Sequence, residues 1–116
     1  MHELSICASI ARAVAQHAAG RPVTTVFLDV GHLRQVVPAT LVYSWELTVA
    51  DTPLDGSSLE IRHVPAVIAC RACAEETSLE APVFRCGGCG STDVEVTSGQ
   101  ELTITSIEVA VSDPVN

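Results

Sequence analysis

Cys70-Arg-Ala-Cys73 and Cys86-Gly-Gly-Cys89 are two CxxC pairs separated by twelve residues, and this spacing restricts what the later half of the chain can become. Two residues between cysteines let both sulfurs of one turn point at a common centre. Two such turns brought together make a tetrahedral four-sulfur site suited to Zn2+, with iron as the competitor for the same ligands. Closure by four thiolates leaves no open position for water, so the expected role is structural. A module this small buries too little apolar surface to fold alone, and metal binding of about 10–16 kcal/mol would supply most of its folding energy. Gly87, Gly88 and Gly90 relieve the tight backbone of the second turn, where positive φ is expected. The other common use of CxxC, a redox dithiol, belongs at a strand-to-helix junction, whereas both pairs here lie among turn residues.

The 116 residues suffice for one compact domain, or for a small domain carrying a metal-stapled module. From Leu4 to Ala18, apolar residues at 4, 7, 8, 11, 14, 15 and 18 mark one face of a helix, which Gly20 and Pro22 end. Val23–Val30 alternates as a strand, with Val26, Leu28 and Val30 on one side and Thr25, Phe27 and Asp29 on the other. Pro38 starts a second helix through about Val49, with Leu41, Val42, Trp45 and Val49 as its apolar stripe. Leu59–Val64 reads as a second strand, interrupted by Pro65. Near the C-terminus, Leu102 and Ile104 fall on even positions and Ile107, Val109 and Val111 on odd ones, so a bulge or a change of packing partner is expected near Thr105-Ser106. The expected fold is α+β: two helices packed on a small three-stranded sheet, built from residues 1–65 and 98–116, with a zinc-ribbon-like four-cysteine domain inserted at 66–97.

Fourteen acidic residues face six basic ones, all arginine, for a net charge of −8. Such a surface repels phosphate backbones and anionic lipid, and no local basic stripe offsets it. Zinc ribbons often bind nucleic acid or protein, which makes a regulatory interaction module the rival reading. Between the cysteine pairs, however, stand Glu75, Glu76 and Glu80, with Arg71 and Arg85 the nearby cations and Phe84 the one aromatic. The first twenty residues lack the basic start and apolar run of a secretory signal, and no stretch reaches the roughly 18 apolar residues that span a bilayer. A cytoplasmic protein is expected, and in a reducing compartment its five cysteines are ligands, thiols or core residues before they are disulfides. No phosphate loop, Ser/His/Asp pattern or acid–base carboxylate pair is present, so enzyme activity is not expected.

Met1-His2-Glu3 stands just before the first helix. The α-amine, the backbone nitrogens of His2 and Glu3 and the His2 imidazole can form consecutive, nearly planar chelate rings, a geometry that favours Ni2+ or Cu2+. Met1 is expected to be retained, because a bulky second residue hinders its removal. Taken alone, these residues are more simply an ordinary chain end. Elsewhere, Cys7 reads as a buried core thiol and His63, in phase with Leu59 and Ile61, as facing the core or the junction with the zinc module. His17 and His32 read as surface residues, and Trp45 and Phe27 as core anchors.

Three features together, Met1-His2-Glu3-Leu4-Ser5, the pairs Cys70/Cys73 and Cys86/Cys89, and the tail from Gly99 to Val109, resemble the HypA/HybF family of nickel-insertion accessory proteins for NiFe hydrogenases and, in some organisms, urease. The similarity runs nearly end to end. It implies a nickel metallochaperone whose two-helix, three-stranded domain carries transferable Ni2+ on His2, supported by Met1 and Glu3, and whose Cys70, Cys73, Cys86 and Cys89 hold structural Zn2+. It also implies a HypB-like GTPase and the hydrogenase large-subunit precursor as partners, and a monomer or weak homodimer. The loop Gln35–Thr40 carries no acidic or histidine side chain that could add a nickel ligand.

Overall fold

A computed structural model describes residues 2–110. The elements run α1 (His2–Ala18), β1 (Val23–Gly31), a single 3-10 turn at His32–Arg34, α2 (Pro38–Val49), β2 (Ser58–Val64), β3 (Ala66–Cys70), β4 (Glu76–Leu79), β5 (Val94–Ser98) and β6 (Leu102–Val109). Two three-stranded sheets result, ordered β2-β1-β6 and β4-β3-β5. The α+β class with two helices and a small three-stranded sheet is as the sequence indicates. Val111 of the expected C-terminal strand lies outside the described residues.

The chain divides into two compact units, each assembled from distant segments: one from residues 1–28, 36–61 and 104–116, the other from 29–35 and 62–103. In the first unit, α1 and α2 supply Cys7, Ile10, Val14, Ala18, Leu41, Trp45 and Val49 to a core shared with Val26 and Leu28 of β1. Trp45 is 1 % exposed, and its indole N–H donates to the buried Ser57 hydroxyl at 3.0 Å, so the largest side chain of the core brings its one polar atom with a partner. Proline at the first position starts α2, where its missing N–H costs the helix nothing. The Arg21 guanidinium caps α1 by donating to the carbonyls of Ala18 and His17 at 2.8 and 2.9 Å.

Three local expectations are corrected. The buried stripe of α1 is Glu3, Cys7, Ile10, Val14 and Ala18, so the helix is rotated from the expected face and Leu4 is left 49 % exposed. The helix also starts at His2, which places His2 and Glu3 inside its first turn instead of ahead of it. Phe27 is only half-buried, because it alternates away from Val26 and Leu28, and a strand can bury one side fully in this core. In β6 the burial phase changes at Thr105-Ser106, both exposed, where the apolar phase of the sequence shifts.

In the second unit, β3 is central. It pairs antiparallel with β4, Ala66 opposite Leu79 and Ala69 opposite Glu76, and antiparallel with β5, Val67 opposite Ser98 and Cys70 opposite Val94, with a register shift between Val67 and Ile68. The strands β4 and β5, four and five residues long, are too short for the sequence to indicate them. Gly99 sits at φ 109, and a Cβ there would lie 2.5 Å from the Ala66 Cα, so only glycine allows the strands to approach this closely.

Candidate metal centre

β3 ends at Cys70, where the chain turns through Arg71, Ala72 and Cys73; the loop after β4 delivers the second turn, Cys86–Cys89. The two turns have the same hydrogen-bond pattern. The Cys70 sulfur accepts from the N–H of Ala72 and Cys73 at 3.3 and 3.4 Å, and the Cys86 sulfur accepts from Gly88 and Cys89 at the same distances. The N–H of Ala74 donates to the Cys70 carbonyl and that of Gly90 to the Cys86 carbonyl, at 2.9 and 3.0 Å. Each turn closes on a left-handed residue, Ala74 at φ 67 and Gly90 at φ 75. Of the three glycines for which the sequence predicts positive φ, Gly90 alone has it. Gly87 and Gly88 serve close approach: the Gly87 N–H donates to the Thr77 hydroxyl at 3.0 Å, and the Glu75 carboxylate lies where a Cβ of residue 88 would be.

The four ligand sulfurs all lie within 4.8 Å of one another, with Cys70–Cys89 and Cys73–Cys86 each at 3.6 Å. A tetrahedron with Zn–S of about 2.3 Å has an edge of about 3.8 Å, so the donor set fits a four-coordinate thiolate ion. Cys70 and Cys86 are buried, while Cys73 and Cys89 are exposed.

Electrostatics point the same way. The backbone N–H groups of Cys89 and Gly88 hold the Cys86 thiol down to about 6. The Glu75 backbone favours the Cys73 thiolate, yet hydrogen bonding with Cys86 and the other sulfurs, together with desolvation, pushes Cys73 up to about 12. Four thiolates this close cannot all ionise unless a cation neutralises them, and a divalent ion supplies that charge. The nearby Arg71 is engaged at the side, with Asp93 and the Val94 carbonyl both at 3.1 Å, and so offers no free basic surface.

At the other predicted site, Met1 and the His2 side chain lie outside what the structure describes. Glu3 is 8 % exposed on the inner face of α1. Cys7, one turn on, is fully buried, with its thiol 3.5 Å from the Leu41 carbonyl oxygen, and burial together with the Glu3 charge pushes it up to about 11. A neutral, enclosed thiol at neutral pH is a core group, as expected. His17 is exposed as the sequence indicates, whereas of the two places expected for His63 the core is excluded: His63 is exposed, and its ring meets that of His32, 31 residues away, at 3.2 Å. Sequence periodicity carries no signal for that pairing.

Helices with an apolar core in one unit and a four-thiolate knuckle pair in the other define a small α+β protein of the metal-binding class. The family model "Hydrogenase/urease nickel incorporation, metallochaperone, hypA" matches residues 1–109, and the chain belongs to this HypA family of metallochaperones. Among its relatives, the hydrogenase maturation factor HypA of Geotalea uraniireducens (strain Rf4) is 42% identical over 109 residues, covering 94% of this chain and 99% of that one. The HypA of Nostoc sp. (strain PCC 7120 / SAG 25.82 / UTEX 2576) is 38% identical, covering 94% and 96%. The solution structure of the Ni metallochaperone HypA from Helicobacter pylori shares the fold, with a TM-score of 0.67 at 21% identity over 97% of this chain and all of that one. No helix among the described residues is long and apolar enough to cross a membrane.

Proposed function

We propose that this protein binds Ni2+ through Met1, His2 and Glu3 and delivers it to the large-subunit precursor of a NiFe hydrogenase, and in hosts that have it to urease, with a HypB-like GTPase as partner in the cytoplasm. The carrying observation is the family match over residues 1–109, which takes in the amino-terminal residues as well as the cysteines. The start of α1 at His2 supports the reading. A helix does not use the N–H groups of its first turn in its own ladder, so chelation by the backbone nitrogens of residues 2 and 3 breaks none of its internal bonds.

Cys70, Cys73, Cys86 and Cys89 would hold Zn2+, which cross-links the two knuckles and leaves no position open for chemistry. The functional division is then residues 1–65 with 98–116 for nickel and 66–97 for zinc.

Native mass spectrometry of wild type, of His2→Ala and of a version with extra residues ahead of Met1 tests the assignment. The expected result is tight nickel uptake by wild type alone, with one zinc and an unchanged fold in all three. Equally tight uptake by the extended protein would overturn it. Protons compete with the ion for the amine and imidazole lone pairs, so nickel affinity falls as pH drops from 7.5 to 5.5, through the imidazole range near ~6.5. An affinity constant over that range would contradict imidazole ligation.

A further inference from the structure

Outside the cysteine cluster, a second pair of metal-ligating side chains converges within the unit formed by residues 29–35 and 62–103. His32 Nδ1 and His63 Nε2 are 3.2 Å apart, with ring planes at 85° and centroids separated by 5.2 Å. On the far side of its ring, His32 Nε2 is 2.6 Å from the Glu80 carbonyl oxygen. A carbonyl can only accept, so Nε2 carries the hydrogen and Nδ1 presents its lone pair toward His63. An N–H donated to a backbone carbonyl is the arrangement that fixes the tautomer and orientation of metal-bound imidazoles.

Two nitrogens about 2.0–2.1 Å from one ion, at cis or tetrahedral angles, lie roughly 2.8–3.4 Å apart. The 3.2 Å separation falls inside that bite. His63 is exposed and His32 half-buried, so an ion can reach both. Arg62, the neighbouring cation, is neutralised by Asp29 through two hydrogen bonds of 2.9 and 2.6 Å and does not leave an uncompensated positive charge beside the pair.

We infer that His32 and His63 form a second, open site for a divalent first-row transition ion such as Ni2+, with two imidazole ligands and the remaining positions left to water or a receiving protein. Imidazole nitrogen suits Ni2+, Cu2+ and Zn2+. Two ligands bind more weakly than four thiolates, which fits a station an ion passes through. In the metal-free pair, His63 Nε2–H donates to His32 Nδ1. When the ion enters, that proton leaves through solvent and His63 Nδ1 takes one up, so one proton is lost and one gained as the ion binds.

The site is distinct from the amino-terminal clamp, and its test is run with that clamp disabled. Ni2+ is added to full-length, zinc-loaded His2→Ala protein while the ring signals of His17, His32 and His63 are followed by NMR. Selective paramagnetic broadening of His32 and His63 before His17 is expected, with up to one nickel per chain by native mass spectrometry, held more weakly than the tight uptake that wild type alone shows. Adding His63→Gln, exposed and therefore tolerated, should weaken this uptake roughly tenfold or more and remove the broadening of His32, with zinc retained. Broadening no greater at His32 and His63 than at His17, or unchanged nickel uptake in a His32→Gln/His63→Gln protein, would overturn the inference. Neither result would bear on the terminal clamp, which is judged by uptake in the wild type.

Discussion

Ala74 and Gly90 occupy equivalent left-handed positions in the two knuckles, at φ 67 and φ 75, but only one of them is glycine. An L residue in that conformation costs about 1–2 kcal/mol, of which glycine's greater freedom in the unfolded chain takes back about 0.5–1. Ala74→Gly is therefore expected to stabilise the zinc-loaded protein by up to about 1 kcal/mol in urea unfolding, and Gly90→Ala to destabilise it by a similar amount. A destabilised Ala74→Gly protein would contradict the argument. Cys7 gives a second expectation at this scale. Its thiol stays neutral in the folded chain, raised to about 11 by burial and then by Glu3, whereas in the unfolded chain it ionises near ~8.5. Stability falls as pH rises above the unfolded value, because only the unfolded state gains the thiolate. At pH 8, mass spectrometry after iodoacetamide treatment should find Cys7 unmodified until the protein unfolds.

Among the elements, α2 was legible in its bounds, because Pro38 fixes its start, and in most of its inward face: Leu41, Trp45 and Val49 are buried as expected, while Val42 is half-buried and Ser44 is buried with them. The helix α1 was legible in its existence but not its rotation. Leu4 and Glu3 are consecutive and lie about 100° apart around the helix axis, and periodicity favours the apolar one; in the folded chain Glu3 is buried while Leu4 is exposed. β4 and β5 escaped detection because they are only four and five residues long, and their inner faces are no more than half-buried, so their alternation is too brief to read. What organises them is β3 and the cysteine turns, and they depend on both. Removing the ion proposed at the four cysteines with a strong chelator is expected to abolish hydrogen-exchange protection in β3, β4 and β5 while the helical signal of α1 and α2 persists, since those helices have their own apolar core. Protection in β3–β5 unchanged by metal removal would show that the sheet stands without the ion. Acid should release the ion in the same way, because protons compete with it for the thiolates.

For the whole molecule, apolar periodicity and cysteine spacing were enough to indicate an α+β chain with a four-thiolate module, and the geometry of the four sulfurs agrees. Two ligands with two residues between them are held by the covalent chain within one turn, so the convergence of each pair is written locally and can be read without a fold. The same is true of helix starts at proline and of strand alternation. Tertiary structure alone decided which face of α1 turned inward, that Phe27 stayed half-buried, and that His32 met His63 across 31 residues. Those outcomes depend on strand register and on how a helix settles over a shared core, and such long-range choices leave no period in the sequence.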